Sequence, residues 1–151
     1  MKNKFLLILL FVFTFQCGYQ VVNPNKLNQY YVESFDLNGD NRINRIIKRD
    51  ILFYSKSQNK NIYKIKIETK KNKTILEKNI KNEIVKYQIQ INSNVEFYNL
   101  TTGKLKKIPF SEQGNFSVAS KNIDTRNNEK KLIENLVDRL SENIIKEMRS
   151  I

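Results

Sequence analysis

The single cysteine of the chain, Cys17, is the first residue whose chemistry stands out. It follows a basic start, Met1 to Lys4, and an apolar run, FLLILLFVFTF, in which only Thr14 is polar. This run is too short to span a bilayer, which takes about 20 apolar residues, but it fits the apolar region of a secretory signal. We therefore predict an export signal over residues 1–16. Two alternatives stay open: a membrane anchor that extends through Val22, and plain secretion with an incidental free cysteine.

A lone cysteine in an exported protein cannot form an intramolecular disulfide, so another modification is expected there. The pattern resembles a bacterial lipoprotein signal, in which cleavage exposes a cysteine whose thiol and new α-amine are then acylated. Gly18 follows Cys17 as in that pattern, whereas Thr14 and Gln16 occupy places that usually hold leucine and a small residue. The resemblance implies lipidation of Cys17, with acyl chains such as palmitate that hold the protein at a membrane. Two or more chains anchor a protein stably where one does not.

The charge balance is strongly basic, with 27 lysines and arginines against 15 acidic residues and a formal net charge of +12. Such a balance is typical of proteins that bind nucleic acid. The export signal, however, places the domain outside the cytoplasm, and the basic residues are spread along the chain. We therefore predict no nucleic-acid partner. The excess charge favours contact with anionic lipid surfaces.

The residues needed for common catalytic and metal sites are missing. The chain has no histidine, the commonest general base and metal ligand. The stretch DLNGDNR is similar to the start of a calcium loop, but the sixth and twelfth positions hold Asn41 and Ile47 where that loop needs glycine and glutamate. The stretch is better interpreted as a turn at Asn38-Gly39. We predict that the protein is not an enzyme and has no cofactor and no metal site.

After the export signal, residues 17–28 are predicted to form an extended tether, in which Pro24 blocks regular secondary structure. Alternating apolar residues predict strands over 29–35, 61–69 and 83–99, and a final strand or broken pair over 104–110 and 115–120. Residues 70–73, KKNK, are predicted as a polar turn, with a short frayed strand after it. The strand at 83–99 would be near 50 Å long at ~3.3 Å per residue, so it should overhang its sheet or bend at Ser93. Pro109 predicts an edge or a bulge.

Helical spacing of apolar residues appears twice. Residues 41–56 are predicted as an amphipathic helix with Asp40 as its N-cap. The C-terminal helix is predicted to start at a cap on Asp124 or Thr125, and its apolar stripe comprises Leu132, Ile133, Leu136, Val137, Leu140, Ile144, Ile145 and Met148. Each helix is apolar on one side only. We therefore predict an α+β fold over residues 29–151: a two-layer sandwich of order β-α-β-β-β-α, with a mixed sheet of about four strands and both helices on one face.

This order, together with the start Cys17-Gly18-Tyr19 and the ending FSVASKNIDTRNNEKKLIENLVDRLSENIIKEM, resembles the LPS-assembly lipoprotein family, LptE. The resemblance implies a lipoprotein of the outer membrane that lies at its periplasmic side or in a barrel lumen. It implies that the partner is the β-barrel LptD, which the protein plugs and helps to assemble, so that lipopolysaccharide reaches the outer leaflet.

Lipopolysaccharide carries phosphates, which basic side chains bind by charge-assisted hydrogen bonds. Lys104, Lys106 and Lys107 flank the predicted turn at Gly103 and are the candidate lipopolysaccharide-binding residues. A solvated turn is the plainer interpretation of the same lysines. Two other functions also stay open: an envelope lipoprotein that serves as accessory subunit of another membrane complex, and a binding module of the periplasm without a lipid.

Overall fold

The computed structural model describes residues 30–55 and 61–150. They form β1 (Tyr31–Gly39), α1 (Asn41–Phe53), β2 (Ile62–Lys78), β3 (Ile84–Asn99), β4 (Leu105–Ser117) and α2 (Asn122–Ser150). The predicted α+β order, β-α-β-β-β-α, is confirmed. The predicted export signal, the tether and Cys17 lie outside the described residues.

The four strands form one sheet in the order β1-β2-β3-β4. β1 pairs with β2 in parallel, and the two remaining pairs are antiparallel. A parallel neighbour in sequence needs a crossover connection, and α1 lies within it. The sheet is therefore mixed, as predicted, with β1 and β4 at its two edges.

The two ends of the sheet are called proximal and distal. The proximal end holds the starts of β1, β2 and β4 and the end of β3, because Tyr31 pairs with Ile62 and Tyr98 pairs with Leu105. The distal end holds the turn at 79–83 and the end of β4. The helix α2 begins near the distal end and runs to the proximal end, where Lys106 forms an ion pair with Glu147.

One hydrophobic core lies between the sheet and the two helices. Alternate residues of the central strands face the helices, so Ile65, Ile67, Ile91 and Val95 are buried while lysines between them are exposed. The rest of the buried apolar set is Tyr30, Val32, Ile43, Ile47, Ile51, Tyr63, Ile89, Phe97, Phe116, Leu136, Val137, Leu140, Ile144, Ile145 and Met148. Both helices thus contribute to a single core on one face of the sheet.

Asn38 and Gly39, which were predicted as a turn, pair with β2 as the last residues of β1, and the chain changes direction into α1 only after Gly39. Gly39 has a φ of +94°, and a Cβ at this position would lie 1.9 Å from the carbonyl oxygen of Thr69. Asp40 then caps the helix, and its carboxylate accepts from the backbone N–H groups of Arg42 and Ile43. The helix ends at Phe53 with Tyr54 as C-cap, three residues before the predicted end.

Residues 70–73 do not form a turn, so that prediction was wrong. They continue β2, and Lys70 and Lys73 pair with Asn92 and Ile89 of β3. Since β3 supplies a pairing partner over its whole length, β2 extends to Lys78 before the chain reverses at 79–83. The predicted overhang of β3 is therefore wrong as well.

The last strand is a single element and not a broken pair. β4 pairs with β3 from Leu105 to Ser117 without a register shift. Pro109 lies in this edge strand, as predicted, and causes no bulge because an edge leaves one side of the backbone unpaired.

The C-terminal helix begins earlier than predicted. α2 starts at Asn122, so Asp124 lies in its first turn and neither Asp124 nor Thr125 is the cap. The Thr125 hydroxyl instead accepts from the backbone N–H of Ala119, 2.9 Å away, which fixes the chain that enters the helix.

Candidate functional site

The face of the sheet that the helices leave uncovered is mostly polar, with Tyr98, Leu105 and Pro109 as apolar residues near its proximal end. We call it the open face, and its central part is formed by Lys64, Lys66, Glu68, Lys70 and Asn72 of β2, Lys86, Gln88, Gln90, Asn92, Asn94 and Glu96 of β3, and Lys107, Ser111, Gln113 and Asn115 of β4. Amides and lysines dominate it. Such a surface can form many hydrogen bonds with a polar partner but offers little apolar area for burial.

Side chains on the open face already bond to one another. Gln90 donates to the Ser111 hydroxyl, which donates in turn to the side-chain oxygen of Asn92 at 2.8 Å. Cross-strand pairs of this kind fix side-chain rotamers on a sheet. The face is thus a pre-ordered polar surface on a continuous three-strand ladder.

The three lysines near Gly103 do not converge. Lys106 and Lys107 point to opposite faces because successive side chains of a strand alternate. Lys106 pairs with Glu147 on the helix side, whereas Lys107 pairs with Glu96 on the open face at 2.8 Å. Lys104 precedes β4 and is exposed. Lipopolysaccharide binding by these residues stays a prediction, and each lysine would have to act separately.

These pairs change the acidity of their carboxyl groups. The hydrogen bond from Lys107 lowers the pKa of Glu96, and the hydrogen bond from Lys106 lowers the pKa of Glu147. At the same end, burial raises the pKa of Tyr30 to about 12, and its hydroxyl donates to the carbonyl of Ile51. The ion pairs are exposed, so they contribute to surface order more than to stability.

A groove that the sequence did not indicate lies between the N-terminal parts of the two helices, above β2. Its volume is about 400 Å³, and its lining comprises Asp40, Arg42, Ile43, Ile46, Lys71, Arg126, Glu129, Lys130, Ile133 and Glu134. Ile43, Ile46 and Ile133 supply an apolar floor, and the charged residues form the rim. Only the meeting of α1, α2 and β2 in space reveals this set, since its members are spread over the sequence.

The distal end also exposes apolar side chains. Ile75 and Leu76 are about half exposed, at 51% and 46%, and Ile80 in the turn is fully exposed. Lys73, by contrast, is held: its ammonium lies 4.4 Å from the Tyr87 ring centroid and 2.6 Å from the Glu129 carboxylate. The distal end thus combines fixed charge with uncovered apolar surface, a combination typical of contact sites.

Residues 30–55 and 61–150 contain neither a cluster suited to a metal ion nor a membrane-spanning helix. Within these ranges no group of three or more acidic or cysteine side chains could hold a metal ion. Neither α1 nor α2 is both long and apolar enough to cross a membrane.

Several solved structures with a similar fold are bacterial lipoproteins. The chain matches rare lipoprotein B from Shewanella oneidensis at 10% identity and a TM-score of 0.61, over 78% of this chain and 94% of that one. A putative lipoprotein from Caulobacter crescentus matches at 8% identity and a TM-score of 0.59, over 84% and 92%. A minor lipoprotein from Acinetobacter baumannii matches at 13% identity and a TM-score of 0.55, over 81% and 93%. No family model and no curated protein sequence matches the chain. At these identities the likeness concerns the fold.

Proposed function

We propose that the chain is an LptE-type lipoprotein of the outer membrane. Anchored by acyl chains on Cys17, it would lie in the lumen of an LptD-type β-barrel, plug it and assist its assembly. In this role it helps lipopolysaccharide to reach the outer leaflet. The fold shared with bacterial lipoproteins supports the proposal, as does the start Cys17-Gly18-Tyr19.

The observation that carries the proposal is the open face. The interior of a transmembrane β-barrel is polar, so a protein that fills it needs a polar surface of fixed shape. The open face extends over the paired lengths of β2, β3 and β4, and Gln90, Ser111 and Asn92 are pre-ordered on it. A rigid surface loses little conformational entropy when it docks.

The test is a detergent pull-down of the tagged full-length protein from its native envelope, with mass spectrometry of what co-purifies. Asn94→Trp places a bulky apolar group at an exposed point of the open face, and we expect it to reduce recovery of the barrel about tenfold or more. Asn135→Trp is the matched control, since Asn135 is exposed on α2, on the other side of the sheet.

The outcomes separate the alternatives. A stoichiometric LptD-type barrel that Asn94→Trp loses and Asn135→Trp keeps would support the proposal. Recovery of a different membrane complex would favour an accessory subunit of that complex. A protein that dissolves without detergent and has no acyl mass on Cys17 would contradict the lipoprotein proposal altogether.

We extend the proposal to direct contact with lipopolysaccharide through Lys104, Lys106 and Lys107. Because Lys106 and Lys107 lie on opposite faces, their charge reversals are made one at a time. Loss of lipopolysaccharide binding in Lys107→Glu but not in Lys106→Glu would place the contact on the open face. Unchanged binding in all three single variants would remove these lysines from the proposal.

A further inference from the structure

The two layers of the fold differ in length on one side of the molecule. β1 ends at Gly39, which pairs with Thr69, and the chain then enters α1. β2 continues from Lys70 to Lys78 with only β3 beside it, while α2 continues above. We call this region the distal step: the edge of β2 from Lys70 to Lys78 together with the groove between α1 and α2.

The backbone groups that face the free edge can be identified. The carbonyl of Thr69 accepts from the backbone N–H of Asp40, 3.3 Å away, so Thr69 directs its backbone to the β1 side. Both backbone groups of a residue in an antiparallel strand point the same way, and this alternates along the strand. Lys71, Lys73 and Ile75 therefore direct their N–H and C=O groups to the free edge, where no strand of the described chain pairs with them.

The side chains of an added strand would meet the groove. Its inward side chains would lie over Ile43, Ile46 and Ile133, which form the apolar floor. Side chains on the same inward face, before and after those over the floor, would meet the cations of the rim, Arg42, Lys71, Arg126 and Lys130. A strand with apolar and acidic side chains would satisfy both parts.

The acidic residues of the rim are already paired. Lys71 lies 3.7 Å from the Asp40 carboxylate, Lys73 bonds to Glu129, and Lys130 lies 3.9 Å from Glu134. No ion pair within residues 30–55 and 61–150 includes Arg42 or Arg126. Two guanidinium groups thus remain for carboxylates of a partner, and guanidinium binds carboxylate in a bidentate geometry.

We propose that the distal step binds an extended segment of a partner protein that adds as a strand to the free edge of β2 and carries, on the side that faces the groove, apolar side chains flanked by acidic ones. Main-chain hydrogen bonds would supply affinity, and the groove and its arginines would select the sequence. The proposal does not depend on the barrel, so it can fail while the proposed function holds.

Charge excludes the two nearest competitors. A second copy of the same edge carries four lysines, Lys70, Lys71, Lys73 and Lys78, against one acidic residue, Glu77, so it does not complement the cations of the rim. The chain's own residues 18–29 contain no acidic residue and one lysine, Lys26, so they do not complement the rim. A partner that carries carboxylates is the occupant that the charges favour.

The experiment uses the full-length isotope-labelled protein in detergent and the synthetic glutamate-valine peptide Thr-Glu-Thr-Val-Thr-Val-Thr-Glu-Thr. As a strand, this peptide carries two valines flanked by two glutamates on one face and threonines on the other. We expect binding to protect the backbone N–H groups of Lys71, Lys73 and Ile75 from hydrogen exchange. The variant Arg126→Glu/Lys130→Glu should weaken peptide binding about tenfold or more. The matched control, Lys64→Glu/Lys66→Glu, makes the same charge change on the open face and should leave binding unchanged.

Two altered peptides test the mode of binding. A peptide with lysine in place of the two glutamates should not bind. A peptide with proline in place of the two valines should not bind either, because proline lacks the N–H that pairs with the edge.

Four results would overturn the proposal. They are no binding of the glutamate-valine peptide, binding without protection of the three amides, an equal loss in both double variants, and equal binding of the proline peptide. Binding of phosphatidylglycerol vesicles, lost in Arg126→Glu/Lys130→Glu, with no peptide binding would assign the groove to lipid instead.

Discussion

The proximal and distal halves of the β2–β3 hairpin share one ladder but differ in what covers it. Ile65 pairs with Phe97 in the proximal half and is 1% exposed, beneath the helices. Ile75 pairs with Tyr87 in the distal half, on the same face, and is 51% exposed. Strand pairing thus extends through both halves, with register shifts only after Ile75, while the burial of β2 does not.

This difference shows that two separate causes shape the hairpin. Pairing with β3 sets how far β2 extends, because each strand satisfies the backbone groups of the other. The length of α1 sets which part of β2 is covered. Beyond the start of α1, the positions of β2 that face the helices are occupied by the polar residues Lys71 and Lys73. Lysines along a free edge also oppose unspecific pairing with other chains. Ile89 and Ile91 of β3 stay buried in the distal half, so it is the distal part of β2 that is available for contacts.

Substitution of one isoleucine in each half gives the largest expected contrast. We expect Ile65→Ala to lower the free energy of unfolding by about 2–5 kcal/mol, because it removes a buried side chain and leaves a cavity. Ile75→Ala should lower it by less than about 1 kcal/mol, since half of that side chain is in water. Urea denaturation of both variants measures the difference. Equal losses would mean that the distal half is buried in solution and that the comparison fails.

A smaller effect is expected from the ion pair between Lys73 of β2 and Glu129 of α2 in the distal half. Lys73→Met keeps the aliphatic length but removes the ion pair with Glu129 and the contact of the ammonium with the rings of Tyr87 and Phe116. We expect a loss of about 1 kcal/mol, which is ordinary for a partly exposed cation on aromatic rings. Lys64→Met, at an exposed position of the proximal half, is the control. A loss no larger than that of the control would show that Lys73 does not hold α2 to the sheet.

The smallest effect concerns pH at the proximal end. Lys106 lowers the folded-state pKa of Glu147, so the pair stabilises the fold above the ordinary glutamate pKa. This stabilisation is lost as the pH falls through the lowered folded-state pKa. A carbon-detected NMR titration should show the Glu147 pKa rising in Lys106→Met, while that of Glu96, which Lys107 controls, stays low. A Glu147 pKa that does not change in this variant would mean that the ion pair is not populated in water.

Much of the fold follows from the sequence, and the largest error has an identifiable physical cause. The alternation at Glu83–Asn99 predicts β3, and Asp40 marks the start of α1 correctly. The prediction failed at 70–73 because it treated a loss of apolar alternation as a loss of strand. The lysines there lie in a part of β2 over which α1 does not extend, and the sequence around 70–73 does not show where α1 lies. The true turn at 79–83 had a local signal in Asn79 and Asn82, since Asn79 accepts from Lys81 and Glu83 and Asn82 has a φ of +62°.

The candidate sites were less predictable than the fold. Lys106 and Lys107 are adjacent in the sequence and were predicted to act together, but adjacent side chains of a strand point to opposite faces of the sheet. The groove forms only where α1 and α2 meet in space, and no local sequence pattern predicts where two helices meet. Gly114 illustrates this: a Cβ there would lie 2.7 Å from a methyl carbon of Leu132, so β4 and α2 approach closely at a point that the sequence does not mark.

The parallel pairing of β1 with β2 has a mechanical consequence. β1 enters the sheet at the proximal end, so a pull on the residues before Tyr30 acts along the axis of the strand. The paired residues from Tyr31–Ile62 to Gly39–Thr69 then carry the load together in shear, and cannot open one after another as in a zipper. An anchor on Cys17, as proposed above, would therefore load the domain in shear between β1 and β2.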